Sequence, residues 1–195
     1  MESPASRNSP PRARLVAVAS DLFYRKGIAN VGINEIIDAS SIARMTLYHH
    51  FPSKDDLILA VLAQRRAQRQ AGFDAAIERP RSPRAKILSA FDYLASVAAG
   101  PGFRGCAFIN AAIERADPAD PVHRMVAGHK AWIAARFEAI ARLAKWPRPA
   151  LLAQQLLLLW DGASVGAYLQ GNAAPVRAAR LAARSLLPAA RATGR

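Results

Sequence analysis

Apolar residues recur along this chain at intervals of three and four, the spacing that lines up side chains on one face of an α-helix. Leu15, Val18, Ala19, Leu22 and Phe23 form one such stripe. Ser9 is placed to cap this helix, Pro10 and Pro11 suit its first turn, and Gly27 is placed to end it in a left-handed conformation. Residues 1–9 before it, rich in Ser and Pro, read as a flexible tail. Two short helices follow, about 33–40 and 43–50, with room between them only for a tight turn, and Pro52 ends the unit. Ile33, Ile36, Ile37, Ile42, Leu47 and Phe51 supply the groups that pack this pair on the first helix.

Ser53, with Asp56 three residues on, makes a capping box for a helix reaching Glu78. Ser82-Pro83 and Asp120-Pro121 are further cap-plus-proline starts. The remaining helices are expected over 83–99, 105–116, 121–146, 149–170 and 175–188. The fold class is therefore all-α: an N-terminal three-helix helix-turn-helix domain (10–53) followed by a C-terminal helical domain (54–195).

Composition supports this reading. The 195 residues are 52% hydrophobic, enough for a packed core. Runs of strand-favouring residues are scarce. A net charge of +13 makes a polyanion the natural partner, with DNA, RNA and anionic lipid all open on charge alone. The basic residues are dispersed, with richer stretches near Arg12 and Arg14, from Arg65 to Lys86, and from Arg177 to Arg195; the last two can equally be solvated surface. The single cysteine, Cys106, excludes an internal disulfide and fits a reducing, cytoplasmic setting. No apolar signal core is read at the N-terminus, and Gln154, Gln155 and Asp161 interrupt the most apolar helix, so no membrane association is expected.

The segment Leu47-Tyr48-His49-His50-Phe51-Pro52-Ser53-Lys54, preceded by Leu22-Phe23 and Gly27, closely resembles the DNA-binding domain of the TetR family (TetR/AcrR type) of bacterial regulators. The resemblance covers residues 12–60 well and the rest only in helical layout. It implies a recognition helix in the major groove of double-stranded DNA. Arg44 is the candidate reader of a guanine, with Met45 and Thr46 beside it. Tyr48 and Lys54 are candidates for phosphate contact, and Arg12 for a neighbouring backbone or minor groove. His49 and His50 either touch phosphate or a base, or are solvated. The family tends to have glycine in the turn and a hydroxyl residue capping the recognition helix; here Ser41 and Ala43 stand there, which moves the cap to Ser41 or Ser40. Gly32 replaces the usual hydroxyl cap of the preceding helix and offers a backbone N–H to phosphate instead.

Other signals carry less. Gly100-Pro101-Gly102-Phe103-Arg104-Gly105 spells a dinucleotide fingerprint, but it follows a helical pattern rather than a strand and reads as an interhelical turn. His123 and His129 lie about 240° apart around a helix, and no metal or cofactor set is found. No nucleophile with a base is evident, so an enzyme is not expected. Cys106, near Arg104, is either a buried small hydrophobe or an oxidant or electrophile sensor.

In the C-terminal part, Phe91, Leu94, Phe103, Cys106, Phe108, Ile109, Trp132, Ile133 and Trp160 are candidate lining for a small-molecule effector pocket, with His129, Arg136 and Asp161 to orient a polar group. The same aromatic spacing also suits ordinary core. Helix 149–170 is apolar on nearly every side, and with 175–188 it is the expected homodimer seam, Gly162, Ala163, Ser164 and Gly166 permitting close approach. Such a dimer matches a palindromic operator. The function read from the sequence is a repressor released by an effector; a helical binding protein or enzyme and a non-specific architectural DNA binder are the alternatives, and activation is not distinguished from repression.

Overall fold

The computed structural model describes residues 9–115 and 117–189, so the expected tail lies outside the described residues except for Ser9. Among the described residues there are nine helices and no strand: α1 (Pro11–Lys26), α2 (Ile33–Ser40), α3 (Arg44–His50), α4 (Lys54–Glu78), α5 (Pro83–Ala98), α6 (Ala107–Glu114), α7 (Pro121–Leu143), α8 (Pro149–Gln170) and α9 (Ala174–Leu186). The chain forms two compact units, one running to Gln68 and adding Ala107–Ala127, the other made of Arg69–Cys106 and the chain from Gly128 onward. These packing units do not follow the division after Ser53 expected from the sequence, because the first turns of α4 bury Leu57, Ile58, Val61 and Leu62 within the first unit.

In the first unit, α1 begins without a side-chain cap. Pro10 rather than Ser9 stands at the capping position, and a proline has no side-chain acceptor to offer the N–H groups that follow. The buried stripe of α1 is Leu15, Val16, Ala19, Leu22 and Phe23; Val16 takes the place expected of Val18, which is half-buried. Gly27 closes the helix with φ +88° and ψ 154°, outside the left-handed helical region expected and in one open essentially to glycine. Its N–H donates to Phe23 O at 3.0 Å. A side-chain carbon added at Gly27 would lie 3.1 Å from Glu114 Oε1, while Glu114 Oε2 accepts the Ala29 N–H at 2.7 Å. The chain leaving α1 is thus fitted closely around one carboxylate from α6. Arg115, next along, pairs with Asp55 and, at 3.6 Å, with Asp120.

The capping box at Ser53 is formed: Asp56 N–H donates to Ser53 Oγ at 3.1 Å and Ser53 N–H donates to Asp56 Oδ2 at 3.0 Å. Asp120 caps α7 by accepting the Val122 N–H at 2.7 Å, and Ser82 caps α5 by accepting the Ala85 N–H at 3.2 Å.

The second unit is built on interlocked aromatic rings. Phe73 meets Trp132, Phe137 and Trp160 at centroid distances of 5.4–5.5 Å, and Phe91 lies 6.2 Å from Phe137 and 5.8 Å from Trp160. α8 and α9 pack on α5 around this block. Arg84 at the start of α5 closes the unit: its guanidinium donates to the carbonyls of Arg184, Leu187 and Pro188 at 2.7–2.9 Å, satisfying acceptors that the end of α9 leaves free. α7 stops at Leu143, three residues earlier than expected, because Lys145 turns left-handed (φ 55°) and Trp146 N–H returns to Ala141 O. The Gly100–Gly105 stretch lies in the connection between α5 and α6, as an interhelical turn should.

Two substitutions test this packing by urea denaturation at fixed protein concentration. Gly27→Ala is expected to lower the unfolding free energy by about 1–3 kcal/mol through backbone strain alone. Phe137→Ala, emptying the middle of the ring block, is expected to cost about 3–5 kcal/mol; a loss under about 1 kcal/mol for either would show that the site relaxes freely.

Candidate nucleic-acid interface

α2, a three-residue turn and α3 form the candidate reader. Ser41 adopts the left-handed conformation (φ 52°) that the tight turn demands, and its N–H donates back to Asp38 O at 3.3 Å. Ala43 precedes α3 with no side-chain cap. Neither serine supplies one: Ser40 Oγ donates to Ile37 O at 3.2 Å, and Ser41 is committed to the turn. α3 is held instead by burial, with Leu47 wholly inaccessible and Phe51, just past its end, also buried.

Locking Leu47 inward turns the rest of the helix outward. Arg44 and His49 are exposed, Met45 is 80% and Tyr48 40% exposed, and Thr46 and His50 are half-buried. Arg44 Nη2 donates to Asn34 Oδ1 on α2 at 2.5 Å. The His49 and His50 rings meet edge-on at 5.3 Å, and His50 lies 6.4 Å from Phe51. Arg12 is exposed with its guanidinium 5.2 Å above the Phe51 ring, which joins the start of α1 to the end of α3. Gly32 is exposed at the start of α2, and nothing lies within 4 Å of where its side-chain carbon would stand, so packing does not require glycine there.

Lys54 is placed differently from a free phosphate contact. Its Nζ donates to Ile28 O at 2.6 Å and lies 6.0 Å from the Phe23 ring centroid. Burial first, and then the nearby positive charge of Arg115, push the Lys54 ammonium below its ordinary pKa. Asn34, by contrast, has a direct part in the surface and was not singled out from the sequence. Ten residues and a helix boundary separate it from Arg44, so no periodicity relates the two.

The candidate effector residues fall into two groups. Phe108 is buried and Ile109 half-buried in the first unit. In the second, Phe91, Leu94, Ile133 and Trp160 are buried core, with Phe103 and Trp132 packed against them. His129 is buried and stacks on Trp132 at 6.4 Å, while Arg136 lies 5.9 Å over the Trp132 ring and pairs with Asp74 at 2.6 Å. Asp161 pairs with Lys130, whose Nζ is also 3.6 Å from Cys106 Sγ. Lys130 carried no signal in the sequence beyond being a lysine in an apolar helix. Among the described residues no helix is long and apolar enough to cross a membrane.

Comparison with known proteins agrees with this geometry. Residues 15–61 match the family described as bacterial regulatory proteins, tetR family. The HTH-type transcriptional regulator UidR of Escherichia coli K12 is 32% identical over 78 residues, which span 40% of this chain and 40% of UidR. The HTH-type transcriptional activator FasR of Mycolicibacterium smegmatis is 31% identical over 87 residues, 43% of this chain and 40% of FasR. These curated relatives are thus matched over well under half of their length. Likeness over the whole chain comes from a solved structure: SCO4454, a TetR-family transcriptional regulator from Streptomyces coelicolor, superimposes with a TM-score of 0.87 at 33% identity, covering 91% of this chain and 88% of that one. A buried Leu47 beneath an outward row of side chains, a matching N-terminal signature and a superposition covering 91% of the chain converge: the chain belongs to the TetR family of transcriptional regulators.

Proposed function

We infer that this protein binds a palindromic DNA operator as a homodimer, represses transcription from it, and is released by a small-molecule effector. The observation that carries the reading is the outward row Arg44, Met45, Thr46, Tyr48 and His49 on a helix whose opposite side is locked by Leu47. Arg44 reads a base edge, most naturally guanine, and Thr46 a neighbouring one. Tyr48, Arg12 and the exposed backbone at Gly32 bind phosphates and set the register; His49 and His50 flank them. Lys54 adds positive charge from the second rank while holding the Ile28 carbonyl. Residues 10–53 carry DNA binding, and 54–195 carry effector binding and dimerisation.

Dimerisation is supported by what α8 and α9 leave uncovered. Leu151, Leu158 and Val165 are exposed seven residues apart, with Leu169 and, on α9, Leu181 continuing the face; Leu158 and Leu169 are 73% and 76% exposed. Seven-residue spacing is that of a helix–helix seam. Nothing lies within 4 Å of a side-chain carbon placed at Gly162, which is open to a partner, whereas one at Gly166 would meet Pro175 at 2.9 Å. Ala163 and Ser164 are buried, so of the small residues singled out from the sequence Gly162 has the open approach. An open groove of about 600 Å³ lined by Leu158, Gly162, Pro175 and Ala178 completes the surface. A two-fold axis here sets the recognition helices to half-sites about 34–36 Å apart, or a multiple.

For the effector, the second unit offers rings (Phe91, Phe103, Trp132, Trp160), aliphatic lining (Leu94, Ile133) and the polar groups Cys106, His129, Arg136 and Asp161. An effector releases DNA only if it binds the non-operator conformation better, and operator DNA then weakens the effector by the same factor.

Footprinting of the purified protein on genomic DNA, followed by competition between selected and random duplexes at equal salt, tests the DNA reading; absence of preference would overturn it. Arg44→Ala is expected to lose about tenfold discrimination at one base pair per half-site, whereas Arg12→Ala weakens all sequences alike. Transcription from the footprinted promoter then separates repression from activation, the role FasR's name carries. For the seam, Leu158→Lys with Leu169→Lys is expected to give a helical monomer by light scattering, with operator affinity reduced at least about a hundredfold; a dimer persisting unchanged would place the interface elsewhere.

A further inference from the structure

Arg44 is a long side chain at the exposed first turn of a short helix, and such a group reads a base well only if its guanidinium is aimed before DNA arrives. α2 supplies the aim. Asn34, exposed near the start of α2, accepts one Nη2 hydrogen of Arg44 at 2.5 Å. A guanidinium has five N–H donors, and a forked contact to guanine O6 and N7 uses two, so four remain after Asn34 has taken one. The partner is also neutral. The carboxylate next to it, Glu35, is engaged by Lys26 at 2.5 Å, which leaves the amide of Asn34 to orient Arg44 without cancelling the positive charge that DNA attracts.

We propose that Asn34 is a specificity-determining positioning residue: it fixes the direction of the Arg44 guanidinium and thereby sets how strictly the protein reads one base pair of each half-site. The inference rests on the reading of α3 as the DNA-contacting helix. It makes α2 more than a support, since the same helix that presents backbone at Gly32 to phosphate aims the side chain that reads sequence. Because both side chains are exposed, the hydrogen bond adds little to the stability of the fold. Its effect falls on selectivity.

The test uses the full-length protein and operators it selects itself from a randomised duplex pool at fixed salt. Affinity is then measured for every single base-pair change in one half-site, for the native protein, Asn34→Ala, Asn34→Asp, Arg44→Ala and the Asn34→Ala/Arg44→Ala double variant. Asn34→Ala is expected to lose about tenfold discrimination at the same base pair that Arg44→Ala relaxes. The double variant should be no less selective than Arg44→Ala, the non-additivity of two residues acting as one. For Asn34→Ala, melting temperature and the salt dependence of affinity should stay at native values, since neither charge nor core is changed. Asn34→Asp keeps an acceptor for Arg44 and should preserve the base preference while weakening every duplex, because a carboxylate now faces phosphate. The proposal is overturned if Asn34→Ala relaxes a different base pair, weakens all sequences equally, or adds to the Arg44→Ala effect. If the native protein selects no sequence, the assignment of α3 as reader fails and this inference with it; if Arg44→Ala flattens one base pair and Asn34→Ala does not, only the role of Asn34 fails.

Discussion

Seven residues are too few to hold a helix together in water, because the first turn fixes several dihedrals before a hydrogen bond repays it. α3 also lacks a side-chain cap at Ala43. Its shape therefore depends on burying Leu47, with Phe51 closing the end. That one anchored side chain fixes the rotation of the helix, and the rotation decides which residues face outward. Arg44, Met45, Tyr48 and His49 are a surface because Leu47 is not. The rest of the first unit serves the same end: α1 and the first turns of α4 provide buried apolar neighbours, and Gly27 with Glu114 sets the path of the chain between α1 and α2.

Net charge is a poor guide to where a basic protein meets its partner. Of the 27 Lys and Arg side chains behind the net charge of +13, many have structural duties. Arg25, Lys26, Arg115, Lys130, Arg136, Arg142 and Arg180 each face a carboxylate. Arg84 holds carbonyls at the end of α9, and Arg65 donates to Ser20 Oγ at 2.9 Å and to its carbonyl at 2.8 Å. The exposed carboxylate pairs among these, such as Arg25 with Asp21, each contribute about 0–1 kcal/mol, so they shape the surface more than they stabilise it. What marks the candidate DNA face is the type and aim of a few groups on α2 and α3.

The sequence made helix type and most boundaries legible, since amphipathic spacing and cap residues are local. α2, α4 and α8 begin and end where the pattern places them, and Ser53, Ser82 and Asp120 all cap as read. The candidate reader was legible too, because its signature is contiguous. What escaped depends on residues far apart in the chain. Gly27 takes its conformation around Glu114, Lys54 turns to the carbonyl of Ile28, and Asn34 meets Arg44 across the turn. Phe73 and Phe137, at the centre of the second core, looked like any other aromatic at helical spacing. The misplaced cap at Ser9 has a simpler cause: the helix begins one residue later, with Pro10 at the capping position.

The reach of Arg84 has a consequence for how the molecule is made. Its acceptors lie 100–104 residues downstream, in the last described turn of the chain. On a ribosome, α5 emerges long before those carbonyls exist, and the guanidinium has nothing to close on until about a hundred further residues have been made. The aromatic block, drawing on Phe73 and Trp160, waits almost as long. During that interval the nascent chain carries uncovered apolar helices, which makes it the stage of elongation at which this part of the chain is most exposed to chaperones and to aggregation.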